Sequence, residues 1–170
     1  MSEVPLVPVS DHEHTVCLLA RIGQVAHRIA EDEFGSAGLR VRHYNVLQAL
    51  ADQGPQAQLA MGTSLRIDPA TMVSTLDDLE SAGLAERTRD PLDRRRYVVT
   101  LTSTGRTLLA TANVGLGRLD DRALSDLTAT ERTTLHRLLR KLAAGPTLAE
   151  AFDAVRDQTG SRKMSRAGSS

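Results

Sequence analysis

Aromatic side chains are nearly absent, at 2% of 170 residues and with no tryptophan. β-Sandwiches and barrels recruit Tyr, Phe and Trp to their strands, so the scarcity argues against an all-β architecture. Cys17 is the only cysteine, which excludes an intrachain disulfide and a multi-cysteine zinc site and fits a reducing cytoplasm. No apolar run approaches the ~20 residues that a membrane helix needs. The opening "MSEVPLVPVSDHEH" lacks the basic start and apolar stretch of an export signal. Net charge is missing as well, since 21 Lys and Arg balance 21 Asp and Glu. A neutral chain does not coat nucleic acid or an anionic membrane by charge alone, so any polyanion contact must be local. No Gly-rich phosphate loop, nucleophile elbow or H-E-x-x-H is present, and nothing else in the chain reads as an enzyme.

What is there is an Ala- and Leu-rich composition, 41% hydrophobic and 25% charged, which predicts a mainly α protein. Residues 1–10 carry two prolines and read as a flexible arm. A first helix is expected over 11–34, ending at the glycines of "FGSAG". The segment "RVRHYNVLQALADQG" predicts a second helix, and 56–65 a third, short one containing Gly62. Asp68 followed by Pro69 is a capping residue before a favoured first-turn proline, and Met72, Val73, Leu76 and Leu79 continue that helix's apolar pattern to Gly83.

Two short helices separated by "LRID" make a helix-turn-helix. The strand-forming runs "LAERTRD" and "RRYVVTLT", joined by "PLD", make a hairpin after it. The fold class is therefore mainly α with a small β-hairpin wing: a winged helix-turn-helix over 39–102. A helical dimerisation region is expected from 11–34 and 103–158, because those helices cannot all bury their apolar faces on so small a domain. Thr102 or Ser103 caps the helix after the wing. Capping boxes at Thr128–Glu131 and Thr147–Glu150 open two more, and 159–170 should be a disordered tail.

"LDDLESAGLAERTRDPLDRRRYVVTLTSTG", residues 76–105, resembles the second half of the winged helix of the multiple-antibiotic-resistance regulator (MarR) family. The aspartate, one residue and arginine of that family's wing are matched by Asp93 and Arg95, followed by Leu101-Thr102 and Gly105. "RHYNVLQAL" and "QLAMGTSLRID" are similar to its second and third helices, and the likeness runs in order over about 120 residues from Leu39. The resemblance implies a homodimeric transcriptional regulator, a repressor, with one winged helix per subunit on a palindromic operator. It also implies release from DNA when a small phenolic or other anionic effector binds between the dimer helices and the winged helix.

Three consecutive arginines repel one another unless solvent or a polyanion surrounds them. At a narrow hairpin tip, a guanidinium is drawn into the negative potential of a narrow minor groove. Arg95 is the residue expected to insert, with Asp93 pairing with an arginine to hold the tip and Arg89, Arg94 and Arg96 facing phosphates. The alternative is a merely solvated charged hairpin. In the major groove the second helix of the pair would present Pro69, Ala70, Thr71, Ser74 and Thr75, with Thr63, Ser64 and Arg66 before it. That helix carries Asp68, Asp77, Asp78 and Glu80 and no basic residue, and residues 54–106 hold seven Arg against seven acids. This neutrality favours the competing class, a winged helix that binds protein and never touches DNA.

Among relatives, glycine commonly stands where this chain has Arg66, and alanine where it has Gly62. His43 and Tyr44 fall where relatives line their ligand cleft. His27 and Arg21 are further effector candidates, although His27 also reads as a core or interface histidine. "VCLLAR" around Cys17 looks like the reactive-cysteine helix of a peroxide-sensing branch, whose tyrosines are replaced here by Arg21 and Glu31. A redox role for Cys17 thus competes with an inert, buried thiol. His12, His14 and Cys17 sit on a poor frame for a metal, and no metal or cofactor is expected.

Overall fold

The computed structural model describes Leu6, residues 13–90, Asp93 and residues 96–167; of residues 157 and 159–167 it describes only the backbone. The elements are α1 Thr15–Gly35, α2 Val41–Gln53, β1 Gln56–Ala57, α3 Gln58–Ser64, α4 Pro69–Ser81, β2 Ala85–Arg89, β3 Tyr97–Leu101, α5 Ser103–Ala123, α6 Ala129–Ala144 and α7 Pro146–Ala167. They fall into two compact units, residues 1–123 and 124–170.

In the first unit, Val46, Leu47 and Leu50 of α2 meet Met61, Met72, Leu76, Leu79 and Val99 in one cluster, each of them essentially inaccessible. Burying a side chain of this size is worth about 2 kcal/mol, so these eight positions hold the helix-turn-helix against the sheet. The helices flanking the winged helix in sequence contribute Phe34, Leu109 and Ala112 to the same core.

The wing is larger than the expected hairpin. Strands β2 and β3 pair antiparallel from Ala85↔Leu101 to Arg89↔Tyr97, and β1 adds Gln56↔Val99 and Ala57↔Val98 on the other side of β3. The sequence pattern places Gln56 and Ala57 at the start of a helix, because two residues carry no strand period. The backbone polar groups of Val98 and Val99 supply the reason for the strand, since they need partners on their open side.

Terminal chemistry sets the helix ends. Asp68 accepts a hydrogen bond from Thr71 N at 3.0 Å with Pro69 in the first turn. The hydroxyl of Thr102 donates to the Gly83 carbonyl at 2.8 Å and accepts from Gly105 N at 3.0 Å, so Thr102 caps α5. At the far end of α4, Gly83 N donates to the Glu80 carbonyl and Leu84 N to the Leu79 carbonyl, a Schellman ending that needs the left-handed φ of 66° at Gly83. Gly38 closes α1 in the same way, at φ 71°.

In the second unit the Thr128–Glu131 capping box opens α6, with Thr128 N donating to Glu131 Oε2 at 2.8 Å. Helix α7 starts at Pro146, so Thr147 lies inside the first turn and its expected box with Glu150 is not the helix start. The α7 backbone runs on to Ala167, past the residue 158 at which a tail was expected. No proline stops it, and Arg, Lys, Met and Ala near its end all favour helix.

Candidate nucleic-acid interface

Helices α3 and α4 and the turn between them form the helix-turn-helix. The turn is a third Schellman ending: Arg66 N donates to the Thr63 carbonyl at 3.2 Å and Ile67 N to the Gly62 carbonyl at 2.9 Å. Here the left-handed position holds an arginine, at φ 53°, where α1 and α4 have glycine. A side chain in that region costs about 1–2 kcal/mol. Thr63 and Ser64 are exposed, and their hydroxyls donate back to the Leu59 and Met61 carbonyls.

Helix α4 turns Met72, Thr75, Leu76 and Leu79 inward and leaves Pro69, Ala70, Val73, Ser74, Asp77 and Asp78 exposed. Thr75 must therefore be removed from the expected groove-facing set. It is 0% exposed, and its hydroxyl donates to the Thr71 carbonyl at 2.6 Å. Its place three residues after Met72 puts it in the buried stripe. Val73 moves the other way: expected in the apolar stripe with Met72, it is 41% exposed, because its helical phase is that of Ala70 and Asp77.

The carboxylates of α4 are all engaged within the chain. Asp68 is the cap. Arg87 of β2 donates through its Nε to Glu80 Oε2 at 2.7 Å and through Nη2 to Asp77, while its backbone N–H reaches Glu80 Oε1 at 2.7 Å. These bonds hold the Arg87 guanidinium protonated even more firmly than usual. Asp78 accepts from Arg42 Nη2 at 2.9 Å and from His43 Nε2 at 3.1 Å. The bond from Arg42, then that from His43, keeps the Asp78 carboxyl below its ordinary range. The acids that made the domain look unfit for a polyanion thus clamp α4 to β2 and α2.

His43 belongs to this scaffold. It is 7% exposed, its Nδ1 accepts from Arg40 N at 3.2 Å, and its Nε2 must then carry the proton donated to Asp78. With both ring nitrogens committed, its expected place in an effector cleft is corrected to a tie between α2 and α4. Burial pushes the imidazole below its ordinary 6.5, with the Asp78 bond working the other way.

At the wing, the Arg89 guanidinium lies 4.3 Å from the centroid of the Tyr97 ring. The Asp93 carbonyl accepts from Arg96 N at 2.9 Å, and the Asp93 carboxylate lies 3.8 Å from Arg96 Nε. Arg95, expected to enter the minor groove, and Arg94, expected to face phosphate, lie outside the described residues.

Tyr44 stacks on Phe34, with ring centroids 4.8 Å apart, and its hydroxyl donates to Asn113 Oδ1 at 2.8 Å, joining α1, α2 and α5. Burial, then the Asp52 charge, raises its phenol pKa. His27 is on the surface rather than in a core, its side chain 59% exposed and 3.7 Å from Glu31. Arg21 directs Nε to the Leu6 carbonyl at 3.1 Å. Glu31, one of the two positions of the absent tyrosines, accepts from Val41 N at 3.2 Å and so caps α2. Cys17 is half-buried. Among the described residues no group of three or more His, Cys, Asp or Glu converges as a metal would require, and no helix is long and apolar enough to cross a membrane.

A recognition helix set by a tight turn, backed by a three-stranded sheet whose hairpin extends beyond it, defines a winged helix-turn-helix protein. Residues 39–97 match the model of the MarR family. Over 124 residues, 73% of this chain and 72% of the relative, the sequence is 32% identical to a putative transcriptional regulatory protein for the hcr operon of Thauera aromatica. A MarR-family transcriptional regulator from Rhodococcus sp. RHA1 superposes with a TM-score of 0.71 at 28% identity, covering 81% of this chain and 96% of that one. The Bordetella bronchiseptica regulator BpsR, whose DNA binding is regulated by 6-hydroxynicotinic acid, superposes with a TM-score of 0.68 at 29% identity, covering 82% and 99%. The chain belongs to the MarR family of transcriptional regulators.

Proposed function

We propose that this protein is a homodimeric repressor that binds a palindromic operator and leaves it when a small phenolic or other anionic effector binds. The observation that carries the reading is the internal pairing of Asp77 and Glu80 with Arg87 and of Asp78 with Arg42, which offsets two of these three negative charges and weakens the electrostatic objection to α4 entering the major groove. In this reading Pro69, Ala70, Thr71 and Ser74 face base edges, Thr63, Ser64 and Arg66 contact the backbone, and Arg95 enters the minor groove between phosphate contacts from Arg89, Arg94 and Arg96. The effector is read at Tyr44, whose stacked ring and hydroxyl join three helices, with Arg21 and His27 as outlying contacts. A second copy covers the apolar stripes that the helices leave exposed.

Fluorescence anisotropy with a labelled duplex from the region upstream of its own gene tests the proposal. Salt-dependent, specific binding is expected, with Arg95→Ala lowering the salt slope by about one. Added 6-hydroxynicotinic acid serves as the first effector probe and should weaken binding. A wild-type protein that binds this duplex no better than random DNA overturns the repressor reading.

A further inference from the structure

Helix α4 has a one-sided chemistry on its exposed face. Pro69 and Ala70 offer only hydrocarbon, Val73 stands 41% exposed, and the Ser74 hydroxyl spends its proton on the Thr71 carbonyl at 3.0 Å. Asp77 and Asp78, next along the face, are acceptors held by Arg87 and Arg42. No Arg, Lys, Asn, Gln or His occurs between Pro69 and Ser81. The bidentate pairings that read guanine O6/N7 or adenine N6/N7 are therefore absent from this helix. Beside the acceptor lone pairs of the Thr71 and Ser74 hydroxyls, which discriminate weakly, the face offers hydrocarbon, and the matching feature of the major groove is the C5-methyl of thymine. Packing a thymine methyl on an exposed valine removes apolar surface of both from water, which favours the contact.

We propose that Val73, supported by Ala70, is the specificity-determining residue of the operator contact and that it reads thymine methyl groups. The inference rests on the DNA-binding reading above and deepens it: base choice comes from hydrocarbon contact, while the arginines outside α4 supply sequence-independent attraction. Val73→Ala is suited to the test because the side chain is exposed and alanine favours helix.

The experiment uses the full-length protein. A random duplex library is selected for binding, and the enriched duplex is resynthesised with thymine or with uracil, which differs only by the methyl. Wild type should lose about fourfold in affinity for each contacted methyl removed, the equivalent of one buried methyl group. Val73→Ala should bind the thymine duplex more weakly, and its thymine-to-uracil ratio should fall toward one. Equal wild-type affinity for both duplexes overturns the inference while leaving DNA binding intact. An undiminished uracil penalty in Val73→Ala overturns the assignment to Val73. A selection that enriches nothing overturns the DNA-binding reading itself, and the inference with it.

Discussion

Arg66 shows how a single residue can be out of keeping with its local backbone and still make sense. The same ending closes α1, α3 and α4, and glycine takes the left-handed position in two of the three. An arginine there at a cost of about 1–2 kcal/mol is the kind of outlier that points to function, and the proposed phosphate contact from the turn would supply one. Arg66→Gly should therefore stabilise the protein. Glycine's larger unfolded-state entropy takes back about 0.4–1 kcal/mol, so a net gain of about 0.5–1 kcal/mol is expected in urea unfolding, with weaker DNA binding alongside it. A lower urea midpoint would refute the strain. His43 makes a different single-residue prediction. Its folded pKa lies below the unfolded 6.5, so the unfolded chain takes up the proton first. The stability this group contributes is complete above about pH 6.5 and is lost as the pH falls through the lower, folded value. His43→Asn should therefore show a smaller fall in melting temperature than wild type between about pH 7.5 and pH 5.5. An equal fall would deny His43 the role.

At the scale of elements, the join between wing and α5 leaves Gly105 the least room of any described glycine. A Cβ at Gly105 would stand 2.1 Å from the Leu84 carbonyl oxygen and 2.7 Å from Leu101 Cδ1. Because the obstacle is backbone, Gly105→Ala should cost about 3 kcal/mol, read as a lower urea midpoint, and should loosen the wing. A midpoint within about 0.5 kcal/mol of wild type would show that the start of α5 can move away. The sequence disclosed those elements whose limits are chemical. Asp68-Pro69 and Thr128–Glu131 announce helix starts, because a capping side chain works within one turn. The β-branched run in "YVVTL" announces β3. Strand β1 stayed hidden because its two residues exist only as partners of Val98 and Val99. The α4 clamps were equally invisible: His43 and Asp78 meet across 35 residues, and the Arg87 bonds depend on where β2 lands. The candidate interface was therefore legible as a set of positions, whereas the pairing of its charges was not. Thr75 and Val73 exchanged roles for a related reason, since residue type was weighed above helical phase.

At the scale of the whole molecule, the exposed apolar residues form patterns rather than scatter. On α1, Val16, Leu19, Ile22 and Ile29 are 38–69% exposed. On α6, Leu138, Leu139 and Leu142 are 42–48% exposed and no residue is buried; on α7, Leu148 and Phe152 are about half exposed. A helix whose apolar stripe meets water has little reason to stay folded, because most helical stability in proteins comes from packing that stripe. A second copy of the chain is the occupant that a two-fold symmetric operator would require, and the prediction follows from that. Wild type should sediment at about 37 kDa, twice the 18.4 kDa of the chain. The double variant Leu138→Glu, Leu142→Glu keeps good helix formers at both sites and should sediment near 18.4 kDa. Its affinity for a full operator should fall to that for a half-site, because the two winged helices would no longer be tethered. A wild-type protein that sediments as a monomer, or a variant that remains a dimer, would place the stripes outside the subunit interface.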